Sequence, residues 1–323
     1  MPTHTMTRGS QQVLQDNRPS HRRRDVQTRR AAHTESAAAR KSTARPDPPM
    51  LIAHLTDPHI GLDTATWPDH PGPAEMLRRA FARVRGLDPA PEVLLLSGDL
   101  TDAGREVDYD TLRALLKQEL SAHADGGPRV LCIPGNHDDP AAARRVLGEL
   151  MPVAADAPAG CMCLRVEHGG LHFIGLDTVV PRQPHGALGA AQLDWLARAL
   201  QRAAGLPVIV LLHHPPLVTG IDAMDACGLL QGGAELARLV AAHGGVQLIA
   251  AGHMHRPIVG ALGGAPVVVA PSTSHQLELD LRPGAPLAMR FEPPMIGLYR
   301  WTAADGIACH FRAVQDFPGP FLV

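Results

Sequence analysis

The chain of 323 residues is short of aromatic side chains, which make up 3% of it, so Ala, Leu and Val must carry most of an apolar content of 45%. It has only five cysteines, Cys132, Cys161, Cys163, Cys227 and Cys309. The number is odd and no CxxC pair occurs, so neither a disulfide framework nor a cysteine zinc site is indicated. Scattered thiols fit a reducing cytosol, and a cytoplasmic protein is expected. No apolar run reaches the roughly 20 residues that span a bilayer. Arg22-Arg23-Arg24 is followed by no apolar segment, so no secretory or twin-arginine signal is recognised and no membrane association is expected. A basic body is lacking too. Residues 1–50 hold ten Lys/Arg against four Asp/Glu, which leaves twenty against twenty-eight in the rest. An acidic body argues against nucleic-acid binding, which needs a basic footprint.

Residues 1–49 are rich in Arg, Ser, Thr, Gln and Pro, a composition that cannot bury enough apolar surface to offset its ordering entropy. They read as a disordered basic extension. Strands and helices then alternate: strands at Met50–Leu55, Val93–Ser97 and Val130–Ile133, helices at Glu75–Leu87, Val107–Ala122 and from Pro140 to Leu147. Met162–Val166 and Leu171–Leu176, joined by His168-Gly169-Gly170, read as a hairpin. Further strands are expected at Val208–Leu212, Leu248–Ala251, Ile258–Leu262, Val267–Ala270, Met295–Trp301 and Gly306–Ala313, with helices at Gly189–Arg202 and Ala234–His243. A chain that mixes βαβ units with hairpins predicts two packed sheets flanked by helices. Thr219–Gly232 reads as a lid or cap element, and Leu281–Pro294 as a loop or subunit contact.

Histidine is abundant, at eighteen residues. It is the commonest neutral nitrogen ligand for metals. Five motifs follow apolar strands in order: Asp57-Pro58-His59, Gly98-Asp99, Gly135-Asn136-His137-Asp138, His213-His214-Pro215-Pro216 and Gly252-His253-Met254-His255. The carboxyl edge of a parallel sheet is where ligands bind in open α/β folds, so five loops can converge there. Mixed imidazole, carboxylate and carbonyl donors suit first-row divalent metals. Seven ligands serve two ions if one bridges, and the bridge falls to a carboxylate, Asp99. One ion then takes Asp57, His59, Asp99 and His255; the other takes Asp99, Asn136, His213 and His253. A metal pair of this kind stabilises the entering and leaving oxygens of an in-line displacement at phosphorus, with a bridging hydroxide as nucleophile. His137, next to Asn136, is the candidate for stabilising the transition state or protonating the leaving alkoxide. Asn136, His137 and His275 are candidate substrate contacts. Thr101, Asp102 and Arg105 read first as helix caps and second as support for the ligands. His54 reads as a hydrogen-bonded core residue. Trp67 reads equally as pocket lining and as packing.

The wording LIAHLTDPHIG, LLLSGDLTD, CIPGNHDD, LLHHPPL and AGHMH resembles the calcineurin-like metallophosphoesterase superfamily. Within it, the chain looks like the bacterial class III cyclic-nucleotide and glycerophosphodiester phosphodiesterases. Ser274-His275-Gln276 and the terminal FPGPFLV are similar to the latter. The resemblance implies an αββα sandwich, a dinuclear centre of iron, manganese, zinc or cobalt, and a homo-oligomer. It carries the family's ligands onto the same seven residues, favours His213 over His214, and puts the catalytic histidine at His137. Pro58 departs from the Ser, Thr or Ile that many members have there. The expected organisation is a catalytic domain over 50–275 and a C-terminal segment, 276–323, that completes a sheet or contributes to substrate or oligomer contacts. The expected function is hydrolysis of a small phosphodiester, a cyclic nucleotide such as cAMP or a glycerophosphodiester. The rivals are a phosphomonoesterase or protein phosphatase on the same scaffold, and a catalytically silent metal-binding module.

Overall fold

Apolar residues run unbroken through Val93–Leu96 and Val208–Leu211 because both faces of the sheets are covered there. The computed structural model describes residues 49–322 apart from 68, 124 and 125. The basic extension, up to residue 48, lies outside the described residues. In chain order the strands and helices are β1 (Met50–Leu55), α1 (Pro73–Arg85), β2 (Val93–Leu96), α2 (Glu106–Ser121), β3 (Arg129–Cys132), α3 (Pro140–Leu147), β4 (Leu164–His168), β5 (Leu171–Gly175), β6 (Gly186–Ala187), α4 (Ala190–Arg202) and β7 (Val208–Leu211). There follow α5 (Asp222–Asp225), β8 (Leu229–Gln231), α6 (Gly233–His243), β9 (Val246–Ala251), β10 (Ile258–Leu262), β11 (Ala265–Val269), β12 (Gln276–Leu277), β13 (Met289–Arg290), β14 (Met295–Thr302) and β15 (Gly306–Ala313).

One sheet has the order β15-β14-β1-β2-β3, the other β10-β11-β9-β7-β5-β4. β1, β2 and β3 are parallel, as are β5, β7, β9 and β11; the antiparallel pairs lie towards the edges. Side chains alternate between faces with period two. Ile52, Leu95, Leu131, Ile209, Leu211 and Leu248 meet between the sheets. Ala53, Leu55, Leu94 and Leu96 face α1, α2 and α3, while Val208, Val210, Ile249 and Val267 face α4 and α6. The four layers are therefore helix, sheet, sheet, helix. Each large aliphatic side chain buried in these layers contributes about 1.5–3 kcal/mol.

The Gly-rich hairpin between β4 and β5 forms two residues later than the pattern suggests, because Met162 is held by the Asp177 carboxylate outside the ladder. Thr219–Gly232 is no free flap: Asp225 accepts N–H bonds from Thr219 and Gly220, and β8 pairs with β6. β14 lies against β1, so C-terminal sequence closes the first sheet. Among the described residues no helix is long and apolar enough to cross a membrane.

Candidate metal centre

Every motif sits one to four residues beyond the carboxyl end of a strand: Asp57 after β1, Asp99 after β2, Asn136 after β3, His213 after β7 and His253 after β9. Bonds between loops join the two sheet edges. His213 Nδ1–H donates to the Ser97 carbonyl (2.7 Å), and the His253 N–H donates to the Asp57 carboxylate (3.0 Å). Close backbone approach makes two glycines necessary. A Cβ at Gly135 would strike the Asp99 backbone nitrogen and carboxylate, and one at Gly252 would strike Thr56 Oγ1. Among the described residues, six other than glycine have positive φ. Five are Asp57, His59, Asp99, His253 and His255; the sixth is Arg182. Backbone strain of this kind persists where surrounding structure enforces it, and it gathers at functional sites.

The donor atoms converge. Asp57, His59, Asp99 and His255 offer ligand atoms within 4.8 Å of one another. Asp99 turns Oδ2 to His59 Nε2 (3.6 Å) and Oδ1 to His213 Nε2 (3.4 Å), so its two oxygens face the two histidine groups. Asn136 Oδ1 lies 3.2 Å from His213 Nε2. The tautomers are set from behind. His59 donates Nδ1–H to Asp102, His213 to Ser97 O and His255 to His275 O, so each ring turns its Nε2 inwards. His253 Nε2 is buried with no hydrogen-bond partner. Burial pushes Asp57 and Asp99 up, but nearby imidazoles outweigh it, His255 for Asp57 and His213 for Asp99, and hold both carboxyls well below the usual carboxylate range. Burial would lower His213, yet Asp99 and Asp57 raise it to about 9. Burial, aided by His213, pushes His253 down to about 3. Inward imidazole nitrogens, ionised carboxylates and an orphaned buried nitrogen are what a cation pair requires, so the residues fit it.

His214 lies in the same cluster, but both its ring nitrogens are engaged, Nδ1 with Thr178 Oγ1 (2.7 Å) and Nε2 with Pro184 O (3.1 Å). His137 differs from the rest in exposure. Its side chain is 42% exposed, against at most 6% for Asp57, His59, Asp99, His213 and His255. Its Nδ1–H donates to the Asp102 carbonyl (2.8 Å). Burial lowers its pKa, but Asp99 and Asp102 outweigh it and raise it. The His275 ring packs 4.5 Å from that of His255 and 5.2 Å from that of His59.

The capping role expected for Thr101, Asp102 and Arg105 is corrected. α2 begins at Glu106, its cap position is Arg105, and no side chain caps it. Asp102 lies in the loop before the helix, where it holds His59 and His137 together. Asp138 accepts N–H bonds from Leu100, Thr101 and Gly135 and the O–H of Tyr109, and so clamps the Asp99 loop to the Asn136 loop.

One support is missed by motif reading altogether. Thr56 donates to Asp57 Oδ2 (2.7 Å) and Ser97 donates to Thr56 (2.6 Å). With its hydrogen committed, Ser97 accepts from His54 Nε2–H (2.8 Å), and His54 Nδ1 then accepts from the Tyr299 hydroxyl (2.7 Å). Four donors in series end on one proposed ligand. The polar residues inside apolar strands, His54 and Tyr299, were the sequence signal for it.

A family model described as calcineurin-like phosphoesterase matches residues 50–257. The chain is 28% identical over 273 residues to a protein of Arcobacter nitrofigilis named "Probable glycerophosphodiester phosphodiesterase GpdQ", covering 84% of this chain and 96% of that one. It is 32% identical over 248 residues to the cAMP/cGMP dual specificity phosphodiesterase MT0825 of Mycobacterium tuberculosis, covering 76% and 74%. In fold it is similar to purple acid phosphatase PPD1 from yellow lupin seeds, with a TM-score of 0.58 at 13% identity, over 83% of this chain and 52% of that one. A match across more than half the chain, on the loops that build this centre, shows that the protein belongs to the calcineurin-like phosphoesterase family.

Proposed function

We propose that the protein hydrolyses small phosphodiesters, cyclic nucleotides or glycerophosphodiesters, at two divalent ions. Asp57, His59, Asp99 and His255 would hold one ion, and Asp99, Asn136, His213 and His253 the other. The observation that carries this reading is the division of the Asp99 oxygens between the His59 and His213 sides. When bound, the ion pair supplies the positive field that draws in the phosphate and acidifies a water for attack at phosphorus. The chain's own contribution is orientation and proton transfer. Asp102 fixes the His59 ring through its carboxylate and the His137 ring through its carbonyl. His137 then presents Nε2 at the exposed mouth, where it donates a proton to the leaving alkoxide.

Charge supports a diester. Among the described residues no Arg or Lys forms an ion pair with Asp57, Asp99 or Asp102. A dianionic monoester gains from added cations at the site; a monoanionic diester needs fewer. The finer reading is of a cytoplasmic homo-oligomer whose ions are drawn from iron, manganese, zinc or cobalt, all compatible with a nitrogen and oxygen donor set. Comparison of bis(p-nitrophenyl) phosphate with p-nitrophenyl phosphate tests the central claim. The diester should be cleaved with the higher kcat/KM; a strong monoester preference would overturn it.

A further inference from the structure

Resting on that reading, we infer that the cleft lined by Trp67, His70 and Phe291 is a subsite for the nucleobase of a nucleotide diester. The cleft encloses about 500 Å³, within the usual range for small-molecule sites. Its walls come from distant parts of the chain: the loop after Asp57-Pro58-His59, and Phe291 just beyond β13. The Trp67 and Phe291 rings meet edge to face, with centroids 5.6 Å apart and planes at 68°. His70 lies 5.0 Å from Phe291. In a chain so poor in aromatics, this concentration of rings is not a packing necessity. Phe291 remains 49% exposed, whereas Trp195 and Trp301, the other two tryptophans, are buried in cores.

A wall of the cleft adjoins the metal centre through the chain. Ser274 lines it, and the Ser274 carbonyl accepts Nε2–H of His70 (3.3 Å). The next residue, His275, packs on the rings of His59 and His255. His70 Nδ1 accepts the Gly72 N–H (3.0 Å), so the ring is fixed with its Nε2–H towards Ser274. A flat heteroaromatic ring can stack on one wall of the Trp67–Phe291 corner and meet the edge of the other. Gln315, on the rim, carries donors and an acceptor for a base edge. A glyceryl or ethanolamine group has no π-face and gains nothing from that corner. The subsite therefore selects nucleotide diesters over glycerophosphodiesters.

The test titrates AMP and ribose 5-phosphate into the zinc-loaded full chain while following tryptophan fluorescence. AMP should quench Trp67 and bind more tightly than ribose 5-phosphate, and W67L should remove the quenching. F291A should cut the AMP preference about tenfold, the scale of one lost base stack. It should lower the ratio of kcat/KM for cAMP over glycerophosphoethanolamine by a similar factor. Equal binding of AMP and ribose 5-phosphate by the wild-type protein, or an AMP preference intact in F291A, would overturn the subsite. AMP binding as described without cleavage of either diester would keep the subsite and sink the catalytic reading. Cleavage of both diesters with an unaltered ratio in F291A would do the reverse.

Discussion

His59 Nε2 and His255 Nε2 face each other at 3.1 Å. Each ring has spent its Nδ1–H elsewhere, His59 on Asp102 and His255 on the His275 carbonyl. In the tautomers these bonds select, two lone pairs meet at that distance and repel, and both residues also carry positive φ. A bound cation would turn that repulsion into attraction.

Metal removal should therefore destabilise the protein. An ion at a hundred times its Kd adds about 2.7 kcal/mol, which at this chain length corresponds to roughly 4–5 °C in Tm. Scanning calorimetry on chelated and on zinc- or manganese-restored protein measures it. Identical melting of the two forms would count against the centre.

Asp99→Ala and His137→Ala should separate two kinds of residue. Asp99 is the ligand proposed to serve both ions, so on its loss bound metal should disappear and activity should fall by more than the roughly 100-fold that loss of a supporting partner costs. Loss of His137 should leave metal content near wild type and reduce kcat about 10²–10⁴-fold. Elemental analysis beside kinetics reads both. An empty centre in the His137 variant would refute the division of roles.

The parts of the fold legible in the sequence were those where local pattern and tertiary demand agree. VLLLS and VIVLL are apolar on both faces, and strands covered on both sides need that. The motif residues were legible because five weak signals occurred in order at strand ends. Asp102 was not. An acidic residue shortly before a helix is also what a cap looks like, and only the start of α2 at Glu106 separates the readings. The chain from Tyr299 through His54, Ser97 and Thr56 to Asp57 was illegible for another reason: it joins residues 242 positions apart through the pairing of β1 with β14, which no local window contains. Likewise Phe291 meets Trp67 only because the C-terminal segment returns to the first sheet.

Tyr109→Phe should weaken both stability and the metal centre. The phenol donates to the buried Asp138 carboxylate (2.8 Å) and accepts the Asp139 N–H (2.9 Å). A hydrogen bond to a charged group contributes about 1.5–3 kcal/mol. Since Asp138 ties the Asp99 loop to the Asn136 loop, metal affinity should also drop, by about 10–100-fold. Urea denaturation and metal titration measure the two effects. Reduced stability with unaltered affinity would show that Asp138 holds the core and not the ligands.

His54, which hydrogen-bonds to no proposed ligand directly, should make stability depend on pH. Burial pushes its pKa from the usual 6.5 down to about 3. It is therefore neutral in the fold, with Nδ1 accepting the Tyr299 hydroxyl, while in the unfolded chain it takes a proton below 6.5. Between these values the unfolded state binds one more proton, so stability falls as pH falls from 6.5 towards 3 and the contribution is complete above 6.5. The slope due to one such group approaches about 1.4 kcal/mol per pH unit. His54→Gln cannot be protonated, and it should flatten the dependence whatever it does to absolute stability. Urea midpoints of both proteins, chelated so that metal release plays no part, are compared at pH 7, 5.5 and 4.5. Parallel curves for the two would show that His54 is protonated in the fold, with the Tyr299 hydroxyl accepting from it.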